Sequence, residues 1–140
     1  DERYQGYQVT QLYVMNRDGS GSRLVDSGWD RDVANVKWAP DGTGIYFTSD
    51  NQGNTGLYFV TLDGKRRMLE KNVGSTTSAY GGGSGFTVAR SGVLAFTYTT
   101  PMMPGDIAVA RVTDTAPKIV TAVNEDLFAQ RKLGAVEEVW

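Results

Sequence analysis

Apolar and polar residues alternate with period two through ten short stretches, near residues 8–15, 22–26, 34–39, 44–49, 57–62, 66–70, 84–89, 93–99, 106–112 and 118–122. These stretches are rich in β-branched and aromatic side chains, as in Ile45-Tyr46-Phe47-Thr48, and each predicts a strand. Turn chemistry separates them: Arg17-Asp18-Gly19-Ser20-Gly21, Pro40-Asp41-Gly42, Asp63-Gly64-Lys65 and Arg90-Ser91-Gly92. Glycine supplies the positive φ that a tight hairpin needs, and Pro40 presets φ while ending the strand that carries Trp38. Near the end the pattern changes. Asn124 through Leu133 reads as a short helix with Asn124 as N-cap and acids in its first turn, and Val136–Trp140 reads as a new strand.

The strands repeat. Leu12-Tyr13 through Asp18-Gly19 returns 45 residues later as Leu57-Tyr58 through Asp63-Gly64. A weaker third copy follows at an offset of 49–50, with Val88-Ala89-Arg90-Ser91-Gly92 on Trp38-Ala39-Pro40-Asp41-Gly42 and Ile107-Ala108 on Leu57-Tyr58. A period of about 40–50 residues built from short strands marks a propeller blade. The fold class expected is therefore all-β: a partial β-propeller of about two and a half four-stranded antiparallel blades. A half-blade lies at 7–26, full blades at 33–70 and 84–122, and the partial propeller as a whole at 1–123. Residues 124–140 form the linker helix and first strand of whatever comes next. A chain of 140 residues is too short to close such a ring.

Composition narrows the chemistry. The net charge is −2 and Lys and Arg are dispersed, which argues against nucleic acid as a partner. No apolar run reaches the roughly 18–20 residues that cross a bilayer as a helix, and no signal-peptide pattern opens the sequence. With no Cys there are no disulfides and no thiolate chemistry, and the compartment stays open. With no His the usual base of a serine nucleophile and the commonest zinc ligand are missing. No catalytic, cofactor-binding or metal-binding residue is assigned.

The run Trp29-Asp30-Arg31-Asp32-Val33, Trp38-Ala39-Pro40-Asp41-Gly42, Ile45-Tyr46-Phe47 and Gly56-Leu57-Tyr58 resembles the propeller of the prolyl oligopeptidase family of serine peptidases. The likeness is to the acylaminoacyl-peptidase and dipeptidyl-aminopeptidase branch, and Pro104-Gly105-Asp106-Ile107 and the Asn124 tail fit it too. It implies a non-catalytic propeller that restricts access of short peptides to a separate α/β-hydrolase domain. That domain carries the family's triad, and no Gly-x-Ser-x-Gly elbow occurs here. The implied partners are the hydrolase domain of a longer protein and its peptide substrates. Open blade edges also predict self-association. The Trp-x-Pro-Asp-Gly core is shared with TolB-type propellers, so a module that binds a protein partner is the alternative.

Several clusters hold residue types suited to chemistry. Asp30-Arg31-Asp32 reads as an ion-pair cluster pinning a loop rather than an arginine aimed at a peptide carboxylate. Trp38 reads as an inward-facing residue packed between sheets. Asp50-Asn51-Gln52-Gly53-Asn54 reads as a polar hairpin loop, since too few carboxylates are present for calcium. Gly81-Gly82-Gly83-Ser84-Gly85 reads as a connector lacking the Lys and helix of a phosphate loop. Tyr98 through Pro104 is an apolar loop with Met102 and Met103 available for contacts, and Glu125, Glu137 and Glu138 read as solvated charges.

Overall fold

A computed structural model describes residue 6 and residues 8–74, 85–137 and 139. Ten strands and one helical turn are present: β1 (Tyr13–Val14), β2 (Arg23–Leu24), β3 (Ala34–Trp38), β4 (Gly44–Asn51), β5 (Asn54–Thr61), β6 (Arg66–Glu70), β7 (Phe86–Val88), β8 (Leu94–Thr100), β9 (Met103–Ala110), β10 (Lys118–Ile119) and α1 (Glu125–Phe128). They form three antiparallel sheets: β1-β2, the meander β3-β4-β5-β6, and the meander β7-β8-β9-β10. The fold is all-β with almost no helix, and the described strands close no sheet into a ring.

Period-two alternation gives the middle sheet two buried faces. Ile45, Phe47, Tyr58 and Val60 point to one side, where Leu12, Val25 and Val33 complete a cluster with the first sheet. Tyr46, Leu57 and Phe59 point to the other, against Phe86, Leu94, Phe96, Ala108 and Ala110 of the last sheet. The sheets therefore stack face to face, and the middle one is covered on both sides.

The sequence repeat is a repeat of hydrogen bonds. Asn16 N–H donates to the Ser20 carbonyl and Gly19 N–H to that of Asn16; 45 residues on, Thr61 donates to Lys65 and Gly64 to Thr61. Gly42 N–H donates to Ala39, and Gly92 to Ala89. The four glycines have φ between 72° and 88°, the conformation the turn reading required. The aspartates tighten the same turns. Asp18 accepts from Ser20 N–H and hydroxyl at 2.9 and 2.7 Å, and Asp41 from Thr43 at 3.1 and 2.8 Å.

Arginines tie each sheet to the next. Arg23 Nη1 donates to the Leu62 carbonyl at 2.7 Å, across 39 residues. Arg67 donates to the carbonyls of Val112 and, at 2.6 Å, Asp114.

Four expectations are corrected. The strand expected at 8–15 is ordered as a ladder only over Tyr13–Val14. The helix stops at Phe128 rather than running toward Leu133, because it buries no residue and Asn124 makes no side-chain cap bond. Residues 131–137 form no strand, so the one expected at 136–140 is absent among the described residues. Trp38 is 55% exposed rather than packed between sheets. It ends an edge strand whose five residues are all exposed, and a register shift between Ala34 and Lys37, with Asn35 at φ 52°, disturbs the pleat before it.

Candidate functional site

The turns divide the stack into two rims. One rim holds the repeated Asp and Gly turns and the Arg23 and Arg67 ties. The other holds the β4–β5 and β8–β9 hairpin tips, the links between sheets, and α1. The β4–β5 tip is a two-residue turn, Gln52-Gly53, with both φ values positive, and Thr55 Oγ1 donates to Asp50 at 2.6 Å. The polar segment at 50–54 is thus a tight hairpin, with Asp50 and Asn51 already inside β4.

The β8–β9 tip builds a substantial cleft among the described residues. Thr100 pairs with Met103, so Pro101 and Met102 form the turn, and Met102 N–H donates to Thr100 Oγ1 at 3.3 Å. Opposite this tip the chain leaves β10 and enters α1. A cleft of about 480 Å³ lies between them, walled by Met102, Met103, Ile119 and Phe128 and edged by Asn124 and Glu125. Pro104 also lines it, so the apolar segment at 98–104 forms one wall.

Asp106 fixes the geometry. Its buried carboxylate accepts from Thr121 Oγ1 at 2.6 Å and Val123 N–H at 3.0 Å. Thr121 Oγ1 in turn accepts from Ile107 N–H at 2.8 Å, continuing the β9–β10 pairing one step past the ladder. These bonds, Thr121 first, hold the Asp106 carboxyl below the usual carboxylate range. They anchor the segment that carries Asn124, Glu125 and Phe128 to the cleft. Sequence reading gave Asp106 no role beyond its place in a motif; a Thr fifteen residues away carries no local signal.

The other residues fall as follows. Arg31 Nε sits 3.9 Å from Asp30, with both exposed, while Asp32 accepts Thr10 N–H at 2.6 Å and its carbonyl accepts Ser49 Oγ at 2.6 Å. Asp32 alone pins the β2–β3 link; the exposed contact between the neighbours Asp30 and Arg31 ties it to nothing else. The packed tryptophan is Trp29: its ring lies 5.0 Å from Tyr58, its Nε1 donates to Ser49 Oγ at 3.1 Å, and the Arg66 guanidinium covers it at 4.1 Å. Arg66 also pairs with Asp26. Glu125 is exposed at the cleft edge, and Glu137 is exposed outside any element. Glycines 81–83, Ser84, Glu138 and Trp140 lie outside the described residues.

Chemically the cleft offers apolar walls and one acidic edge at Glu125. Among the described residues no group of three or more acidic, His or Cys side chains could hold a metal ion. No family model matches the sequence. Over 138 residues, 96% of this chain, it is 27% identical to dipeptidyl-peptidase 5 of Porphyromonas gingivalis. The chain spans 19% of the length of that relative. This likeness and the stack of antiparallel sheets are compatible with a β-rich, peptidase-related origin.

Proposed function

We propose that the chain is a stretch of β-propeller from a prolyl-oligopeptidase-type serine peptidase, contributing the half-blade 7–26 and the blades 33–70 and 84–122. The observation that carries this reading is a likeness to a protein named as a dipeptidyl peptidase that runs over 96% of the chain. The repeated turns and stacked sheets support the propeller part of it. In this reading the chain is non-catalytic, since a sequence with no His supplies no imidazole base for a triad. It packs on an α/β-hydrolase domain of the longer protein and limits which peptides reach it. The 480 Å³ cleft, with its Met and Phe walls, is where a peptide side chain or the hydrolase domain would touch.

A serine-directed fluorophosphonate probe tests it on two samples. The 140-residue chain leaves no covalent adduct by intact mass, and the product of the full natural reading frame takes up one. Labelling of the short chain overturns the non-catalytic reading. A full reading frame with no Gly-x-Ser-x-Gly followed by Asp and His overturns the peptidase reading and leaves the TolB-type binding module.

A further inference from the structure

On the rim of the Asp-Gly turns, a pocket of about 270 Å³ opens between the middle and last sheets, bordered by Asp41 and Tyr46 on one side and by Arg90, Ser91 and Arg111 on the other. Both walls belong to sheets already packed against each other. Three donors reach the pocket with capacity to spare. Tyr46 is 3% exposed, its ring 5.0 Å from Phe59 and 6.4 Å from Phe86. Its hydroxyl has no hydrogen-bond partner among the described residues. No fully buried side-chain oxygen there goes unpartnered, so this one reaches solvent, through the pocket that Tyr46 lines. Burial, and then Asp41, raise its pKa above the ordinary 10.0, and it stays a donor. Arg90 is exposed and has no hydrogen-bond or ion-pair partner among the described residues. Arg111 gives Nη1 to the Ser91 carbonyl at 3.2 Å and keeps the rest of its fork.

The turn itself does not need this chemistry. Gly42 N–H donates to Ala39 and Gly92 N–H to Ala89, so the two turns close alike, yet Pro40-Asp41 in one is Arg90-Ser91 in the other. Arg67, by contrast, is spent on the Val112 and Asp114 carbonyls beside the pocket. The acids are occupied too. Asp41 accepts twice from Thr43, and Asp114 accepts Arg111 N–H at 2.7 Å. The three guanidiniums thus stand against two carboxylates, and one positive charge is unbalanced.

We propose that this pocket is a carboxylate site, in which the oxygens of an acidic side chain accept from Arg90, Arg111 and the Tyr46 hydroxyl. A single negative charge matches the unbalanced positive one. A phosphate, with close to two negative charges, would overshoot it and be repelled by Asp41. Pro40 and Val112 offer apolar surface to the stem that carries the carboxylate. The inference rests on the donors of this pocket and stands apart from the peptidase reading.

Titration of the isotope-labelled chain with acetyl-Gly-Glu-Gly-amide, followed by NMR, tests it. The backbone signals of Ser91, Gly92 and Arg111 and the Nε–H signals of Arg90 and Arg111 should shift at millimolar peptide, and the Gln counterpart should leave them in place. Arg90→Gln should weaken binding about tenfold, the scale of one charge-assisted hydrogen bond. Tyr46→Phe, which keeps the ring, should weaken it about fivefold, with Arg111→Gln as second choice should far-UV circular dichroism show that variant unfolded. Asp41→Asn should tighten it about threefold by removing the opposing charge. The product of the full natural reading frame separates two sources of the carboxylate. If it binds the peptide as the short chain does, the ligand is a separate peptide; if only the short chain binds, an acidic side chain of the longer protein already fills the pocket. A short chain whose signals do not move, equal shifts from the Gln peptide, tighter binding of inorganic phosphate, or binding indifferent to Arg90→Gln each overturns the proposal.

Discussion

Leu57 and Ile107 occupy the same position in consecutive sheets, paired with Thr48 and Thr97, yet one is fully buried and the other is 42% exposed. Truncating each to alanine removes three carbons. For Leu57→Ala, transfer of three buried carbons at about 0.8 kcal/mol each gives about 2.4 kcal/mol. The hole left among Tyr46, Phe59, Leu94 and Phe96 adds a cavity term, bringing the loss to about 3–4 kcal/mol. Ile107→Ala forfeits only about half the transfer term and opens no enclosed hole, so about 1 kcal/mol is expected. The difference, about 2–3 kcal/mol, is large against the 5–15 kcal/mol that holds a domain together. Equilibrium urea unfolding at high dilution, followed by tryptophan fluorescence and circular dichroism, reads it directly. With a slope of about 2 kcal/mol/M, the midpoint falls by about 1.5–2 M for Leu57→Ala and about 0.5 M for Ile107→Ala. Equal losses at high dilution would refute the picture of a middle sheet covered on both faces and a last sheet covered on one.

Three other outcomes follow from the geometry. Arg66→Ala removes both the cover over Trp29 and the pair with Asp26 at half-buried sites, lowering stability by about 1–2 kcal/mol, with a red shift in Trp29 emission; Arg66→Lys restores less than half of it, having no planar fork. Gly44→Ala places a methyl 2.3 Å from the Val60 carbonyl and 2.5 Å from the Phe59 ring, and because that carbonyl belongs to β5 the cost is about 2–3 kcal/mol, read as a lower urea midpoint; an unchanged midpoint would refute the close approach of the two strands. Asp18, Asp41 and Asp63 are all held below the ordinary 3.8, the first two chiefly by Ser20 and Thr43 and Asp63 to about 2 by the Thr61 hydroxyl and then Lys65. A carboxyl depressed in the folded state lends stability that is present above the unfolded value and lost as pH falls through the folded one, so the urea midpoint should drop between pH 3.8 and about 2. The triple Asp→Asn variant should show a shallower drop over that window, and an identical one would remove these turns from the acid response.

What could be read from the sequence was what repeats locally. Alternation and Asp-Gly chemistry placed the strand centres and turns, since both are fixed by a residue's immediate neighbours. The Gln52-Gly53 turn lies within the segment read as a hairpin loop for the same reason. Trp38 was misassigned because its exposure is set by a register shift upstream at Asn35, and nothing at Trp38 reports it. The role of Trp29 depends on Arg66, 37 positions away, and that of Asp106 on Thr121. The arginine ties were hidden differently. Arg23 and Arg67 are 44 residues apart while the turns beside them keep a spacing of 45, so a fixed-offset comparison steps over them and only strand register aligns them.

The two rims explain why such a stack has its cleft where it does. On one rim the hairpins close with the same short turn in successive sheets, and their carboxylates, glycines and carbonyls are already committed to the turns and to the arginine ties. The cleft on this rim, about 270 Å³ between the Pro40-Asp41 and Arg90-Ser91-Gly92 turns, is smaller than the one beside α1. On the other rim the chain must pass from sheet to sheet, so it carries links of unequal length and hairpin tips free of the repeat. Pro101 and Met102 project where Gln52 and Gly53 project in the middle sheet, yet one tip is apolar and the other polar. Change at the cleft walls costs the stack little, because Met102, Met103 and Phe128 belong to neither buried cluster. The cleft between the β8–β9 tip and α1 draws its hydrogen-bonded anchor, Asp106, from the sheet and its walls from the hairpin tip and the tail.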